Sequence, residues 1–208
     1  MVASILEEGA VQLYSLAEYL ELEEKAAYRS EFRNGKIIKM PGGTFAHTRL
    51  ISNIFKLLGK LEGDTFETLS SDQTIFIPAY NQAVYSDTLV ITDEPEFYEG
   101  NNHVIINPTL VIEVLSKSTE RYDRSEKFRK YQTLNTFQEY VLIDQKRPIV
   151  DVLYKEAERD WRMKTYVGLE ESIYLKSIDV TLKMADIYKK VGDLKDPQAV
   201  LEFEDDEI

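Results

Sequence analysis

Cysteine is absent from the 208-residue chain, which removes disulfides, thiolate metal sites and cysteine nucleophiles together and suits a reducing setting. Histidine is scarce: with only His47 and His103, structural zinc has too few ligands. No run approaches the ~20 apolar residues that span a bilayer, and the opening MVASILEEGA lacks the basic and apolar stretches of a secretory signal. These absences predict a cytoplasmic protein without membrane contact. Positive charge is also short, 25 Lys and Arg against 37 Asp and Glu, for a net −12. That balance opposes nucleic-acid binding unless the acids lie away from the working surface. Residues 1–31 hold seven acids against Lys25 and Arg29, and residues 191–208 hold seven against Lys195, so the stretch between is nearly neutral. The end LEFEDDEI reads as a solvated tail, with partner docking as the alternative.

What is present is ample core material, 43% hydrophobic residues, enough for one domain over 1–190 followed by an acidic tail at 191–208. Ser15 with Glu18 makes a capping box for a helix to about Glu24. Asn34-Gly35 between YRSEFR and KIIKM signals a two-residue hairpin. After Pro41-Gly42-Gly43, Thr44 can cap a helix whose Ala46, Leu50, Ile54, Leu57 and Leu61 recur at helical spacing. The Gly-rich stretch has no Gly-Lys-Ser/Thr, so it is not a nucleotide-binding P-loop. FETLS and QTIFIP read as a hairpin around Ser71-Asp72, SDTLVIT as a strand, and Asp93 to Pro108 as loop. TLVIEVL is apolar on both faces except at Glu113, which predicts a central strand. A helix capped by Ser118 or Thr119 follows to about Leu134, then the strands EYVLID, IVDVLYKE and DWRMKTYV, the last two a hairpin, and a short helix near 185–190. Strands interleaved with two main helices predict a mixed α/β (α+β) sheet fold.

Two carboxylates stand out. Glu113 sits among Val111, Ile112, Val114 and Leu115, and Asp87 heads the run Leu89-Val90-Ile91. A buried carboxylate must meet a cation, take a proton or bind a metal. At the ends of neighbouring strands, two of them suit Mg²⁺, which takes one or two carboxylates and keeps several waters. The alternative is structural: Asp87 caps a turn and Glu113 pairs with a Lys or Arg. The segment after Glu113 is basic, with Lys117, Arg121, Arg124, Lys127, Arg129 and Lys130 against Glu120, Asp123 and Glu126. An ordinary solvated helix with an Asp123–Lys127 pair explains this as well, such a pair being worth only ~0.3–0.5 kcal/mol. If the helix folds back over its strand, however, Lys127 arrives level with Glu113. A lysine there can stabilise charge on a phosphoryl oxygen or orient water. His47, near the start of the long helix, is either a phosphate contact beside the Gly42-Gly43 loop or a partly exposed helix residue. Tyr122, Tyr131 and Tyr140 read as core or rim aromatics rather than base-stacking platforms.

EFRNGKIIKMPGG at 31–43, AHTRLISNI at 46–54, YSDTLVI at 85–91, VIEVLSKSTERYDRSEKFRKY at 111–131 and EYVLID at 139–144 together resemble the PD-(D/E)XK nuclease superfamily. More narrowly they resemble the Uma-two family of proposed restriction endonucleases, over about Leu16 to Ile187. The resemblance implies a restriction-endonuclease-like mixed sheet flanked by helices, dependence on Mg²⁺ (Mn²⁺ as an alternative) and hydrolysis of DNA phosphodiesters. It matches Asp87 to the motif aspartate, Glu113 to the acid of the second half-motif and Glu31 to an acid before the first hairpin turn. Asp87 and Glu113 would then hold metal, with Glu31 as an outer or second-metal ligand, unless it merely pairs with Arg33 or Lys36. Two positions depart from the motif: Ser86 replaces the proline before the aspartate, and Leu115 stands where the lysine is expected. In this family a helix lysine substitutes, and Lys127 occupies that place, with Lys117 as understudy. By analogy the protein would be a homodimer acting on DNA, with Arg121 and Arg124 bordering the cleft. The alternatives are a nuclease-fold binding or regulatory protein without catalysis, and a metal-dependent hydrolase of a smaller phosphodiester.

Overall fold

The computed structural model describes residues 12–100 and 102–197; most of the stretch read above as an acidic tail, residues 198–208, lies outside them. Helix α1 (Leu16–Lys25) begins at the capping box: the Ser15 hydroxyl accepts from the Glu18 amide, and the Glu18 carboxylate answers the Ser15 amide at 2.7 Å. Strands β1 (Ser30–Arg33) and β2 (Lys36–Lys39) form the hairpin at Asn34-Gly35, both in the left-handed region at φ 47° and 88°. Helix α2 (Phe45–Leu58) is capped by Thr44 and buries Leu50, Ile54 and Leu58. It stops a turn earlier than its apolar spacing suggests, leaving Leu61 50% exposed.

The next segment corrects the hairpin expected around Ser71-Asp72. Strands β3 (Glu67–Ser70) and β4 (Thr74–Ile77) do not pair. The chain turns a corner there between two sheets. Strand β4 instead pairs with β5 (Gln82–Tyr85) across a turn whose Asn81 is left-handed, while β3 pairs with β6 (Thr88–Ile91). Alternation of apolar residues reports a strand but not its partner. Strand β7 (Val104–Ile105) lies within the stretch read as loop. The remaining strands are β8 (Leu110–Leu115), β9 (Glu139–Asp144), β10 (Ile149–Ala157) and β11 (Asp160–Val167), then a ribbon of β12 (Ser172–Leu175) and β13 (Val180–Lys183) that the sequence reading did not include. Between β8 and β9 come α3 (Glu120–Tyr122), a π-helical turn at Asp123–Lys127 and α4 (Phe128–Tyr131); α5 (Met184–Ile187) follows β13.

The strands form two sheets, ordered β2-β1-β5-β4-β7 and β11-β10-β9-β8-β6-β3, besides the ribbon. Strand β8 is central in the larger sheet, antiparallel to β6 and parallel to β9. Its period of two divides it cleanly. Leu110, Ile112 and Val114 enter a core built with α2 and the ribbon, whereas Val111 and Leu115 enter a second core with Ile75, Val84, Tyr131 and Tyr140. Glu113 shares the second face. It therefore points toward the five-stranded sheet and the helical segment after β8.

Candidate active site

The junction between the sheets sets the site. Chain leaving β5 crosses to β6 through Ser86 and Asp87, so Asp87 stands where the two sheets meet. The Val114 amide donates to Asp87 Oδ2 at 2.7 Å, tying this carboxylate to β8 one residue from Glu113. His47, in the first turn of α2, brings Nε2 to 3.3 Å from the same oxygen. The loop before α2 closes tightly on that imidazole: a Cβ on Gly43 would lie 2.9 Å from His47 Nδ1, so a larger residue there would push the ring aside. Burial works to lower the His47 pKa, but the hydrogen bond and charge of Asp87 outweigh it and raise it.

The helical segment after β8 supplies the cation. Phe128 stacks on Tyr140 at 5.3 Å and meets Trp161 edge-on at 5.0 Å, anchoring the segment to the sheet face. Tyr131 and Tyr140 are fully buried core residues. The π turn places both Asp123 and Lys127 inside. Such turns are rare and often found at functional sites. Lys127 Nζ lies 2.7 Å from Glu113 Oε1, donates to the Tyr85 carbonyl at 2.8 Å and is 3.8 Å from Asp123 Oδ1. That 2.7 Å contact is a buried ion pair, and among the described residues no other group donates to Glu113 Oε1.

Glu31, Glu113, Asp123 and Lys127 are each only 4% exposed, and Asp87 joins them in lining a cavity of about 1090 Å³. Glu31 is held by Arg33 Nη2 at 2.6 Å, and the same guanidinium lies 4.2 Å over the Tyr122 ring. Burial, with Asp123 and Asp87 adding to it, pushes Glu113 well above the ordinary carboxylate range against the pull of Lys127. Burial likewise raises Asp123, again opposed by Lys127. For Lys127 burial pulls down, but Glu113, Tyr131, Asp123 and Glu31 together hold the ammonium well above its usual value. The ammonium thus sits among three acids, Glu113, Asp123 and Glu31, that favour its charged form. Among the described residues no three His, Asp or Glu side chains are disposed as a ready-made metal cage.

Asp87, Glu113, Lys127, Glu31 and His47 all line this one cavity, and Lys117 stands at its rim. Arg121 and Arg124 do not line it. Arg124 turns toward β10 and α3, reaching Asp151 at 2.7 Å and Glu120 at 2.9 Å. The exposed lysines that do line it are Lys39, Lys117 and Lys146. Asp123 belongs to the site although its sequence position does not single it out. Its spacing to Lys127 was visible, but an i,i+4 pair looks the same whether a helix is solvated or closed over a sheet.

Buried acids thus gather around one lysine where two sheets meet in a mixed α+β fold. A solved structure from Anabaena variabilis, described as "a putative nuclease belonging to DUF820", superposes with a TM-score of 0.68 at 18% identity, covering 84% of this chain and 97% of that one. At that identity the likeness establishes the fold. A family model described as "Putative restriction endonuclease" matches residues 16–185, and the chain belongs to that family, Uma2. Two uncharacterized proteins of Synechocystis sp. are similar along most of their length. One is 37% identical over 161 residues, covering 77% of this chain and 91% of the relative. The other is 32% identical over 173 residues, covering 83% and 90%. Among the described residues no helix is long and apolar enough to cross a membrane.

Proposed function

We propose that the protein is a metal-dependent nuclease that hydrolyses DNA phosphodiesters in the cavity between its sheets. The observation that carries this reading is the convergence of Asp87, Glu113 and Lys127 in one cleft, with the Lys127 ammonium 2.7 Å from Glu113. The donor set fits Mg²⁺ or Mn²⁺. It is all oxygen, with the Asp87 and Glu113 carboxylates lining one cavity. Asp87 and Glu113 would hold such an ion, which would supply Lewis-acid activation of water and phosphate. The chain's own groups do the rest. The Val114 amide and His47 fix the Asp87 carboxylate, Glu113 with Asp123 and Glu31 keeps Lys127 protonated, and Lys127 offers its charge to a phosphoryl oxygen. Lys39, Lys117 and Lys146 at the mouth give a polyanion a basic approach in spite of the net charge of −12.

One observation favours a second reading, a nuclease-fold binding protein without catalysis: the Lys127–Glu113 contact is also how a structural ion pair neutralises a buried acid. Cleavage of plasmid and single-stranded DNA with Mg²⁺ or Mn²⁺ separates the two, run beside Asp87→Ala and Glu113→Ala. We expect metal-dependent cutting that both substitutions abolish. Activity surviving both would sink the assigned site, and metal binding without cleavage would favour the second reading.

A further inference from the structure

The mouth of the cleft carries something its floor does not explain. Tyr28 is 55% exposed and lines the cavity, with Lys39 Nζ 4.1 Å over its ring. Beside it on β2, Ile38 is 39% exposed and also lines the cavity. Phe45 does not itself line the cavity but follows the lining residue Thr44 at the start of α2. It is 72% exposed, with Arg49 5.2 Å over its ring. Single exposed apolar residues need no explanation. An exposed ring in the lining and a second next to it in the chain, each under a cation, with three exposed lysines lining the same cavity as the buried acids, form a pattern with a chemistry. Cations hold phosphates and ring faces hold bases, the combination that binds unpaired polynucleotide.

Depth argues the same way. Glu113 and Lys127 have side chains only 5% and 6% exposed. A duplex carries its phosphates on a stiff rod whose persistence length is about 50 nm. A single strand can bend a phosphate down to the floor while its bases splay outward onto the rim.

We propose that the cleft takes a single-stranded polynucleotide, its bases stacked on Tyr28 and Phe45 and its phosphates led by Lys39, Lys117 and Lys146 to the Asp87–Glu113–Lys127 floor. This rests on the nuclease reading for its substrate, but it concerns binding and is tested apart from hydrolysis. Fluorescence anisotropy of labelled single-stranded DNA, single-stranded RNA and duplex DNA would be measured on the full chain with Ca²⁺ replacing Mg²⁺. The expected result is tighter binding of the single strands than of the duplex. Tyr28→Ala and Phe45→Ala each weaken single-strand binding about 5- to 150-fold, and Tyr28→Phe retains it. Lys39→Ala lowers the slope of log affinity against log salt by about 0.7. The DNA and RNA arms show which backbone is preferred. Duplex binding as tight as single-strand binding overturns the proposal, and so does a Tyr28→Ala variant with unchanged affinity. Tyr28-dependent binding by a chain that cuts nothing supports it while sinking the hydrolytic reading.

Discussion

Glu113 and Glu139 are buried glutamates on the adjacent parallel strands β8 and β9, and their surroundings differ in kind. Glu139 is fully buried and saturated. Its oxygens accept from the Lys176 and Ser177 amides, each at 3.0 Å, and from the Ser177 hydroxyl at 2.6 Å. Glu113, toward the other end of the strands, faces one ammonium at 2.7 Å and two like-charged neighbours, with no hydroxyl or amide donor to it among the described residues. Burial raises the pKa of both. At Glu139 hydrogen bonds from the 176–177 turn oppose the rise, whereas at Glu113 other acids reinforce it. A carboxylate satisfied by local N–H groups holds backbone in place. One crowded among carboxylates works against the fold, and such local inconsistency is what functional sites retain.

The largest effect expected from this difference is on chemistry. Glu113→Gln should lower metal-dependent cleavage roughly a thousandfold, about 4 kcal/mol of transition-state stabilisation. Its denaturation midpoint should scarcely move, by about 1 kcal/mol or less, because Lys127 keeps the Tyr85 carbonyl and Asp123 while one like charge is removed. Kinetics and urea melts on the same preparation read both quantities. A variant that unfolds, with its remaining folded fraction fully active, would make Glu113 a structural residue like its neighbour.

Glu139→Gln should do the reverse. An amide offers one acceptor oxygen where the carboxylate uses two, so a part-buried donor of the 176–177 turn loses its charge-assisted bond at a cost of about 1–3 kcal/mol. Cleavage at temperatures where the variant is folded should match the parent. A loss of activity without a loss of stability would break the comparison from the other side.

How far the sequence reveals this contrast follows from what each residue depends on. Glu113 is conspicuous because five apolar neighbours surround it on one strand, and the return of the helix to Glu113 follows from rise per residue. Glu139 is not conspicuous at the edge of EYVLID, because its partners come from a turn 37 residues on. Asp123 looked like half of a surface pair, since spacing fixes a helix face but not what covers it. The basic border was assigned to Arg121 and Arg124 from proximity in sequence. The lysines that line the cavity come from a hairpin, a strand end and a β9–β10 loop that only the tertiary fold brings together. The β3–β4 corner was unreadable for the same reason: strand pairing is long-range, while alternation is local.

The smallest effect sharpens the comparison by titration. Burial raises the folded-state pKa of Glu139 above its ordinary 4.5. The protonated group therefore contributes stability that is fully present below that ordinary value and lost as pH rises through the folded one. Glutamine cannot titrate, so the stability gap between the parent and Glu139→Gln should narrow as pH rises, while every other carboxylate cancels between the two curves. The same subtraction with Glu113→Gln should continue to change at higher pH, because burial and two neighbouring acids push Glu113 well above the carboxylate range. Urea melts across the acid-to-neutral range measure both gaps. A Glu113 gap that flattened at lower pH than the Glu139 gap would mean that Lys127 overrides the crowding, and the two buried glutamates would then be alike.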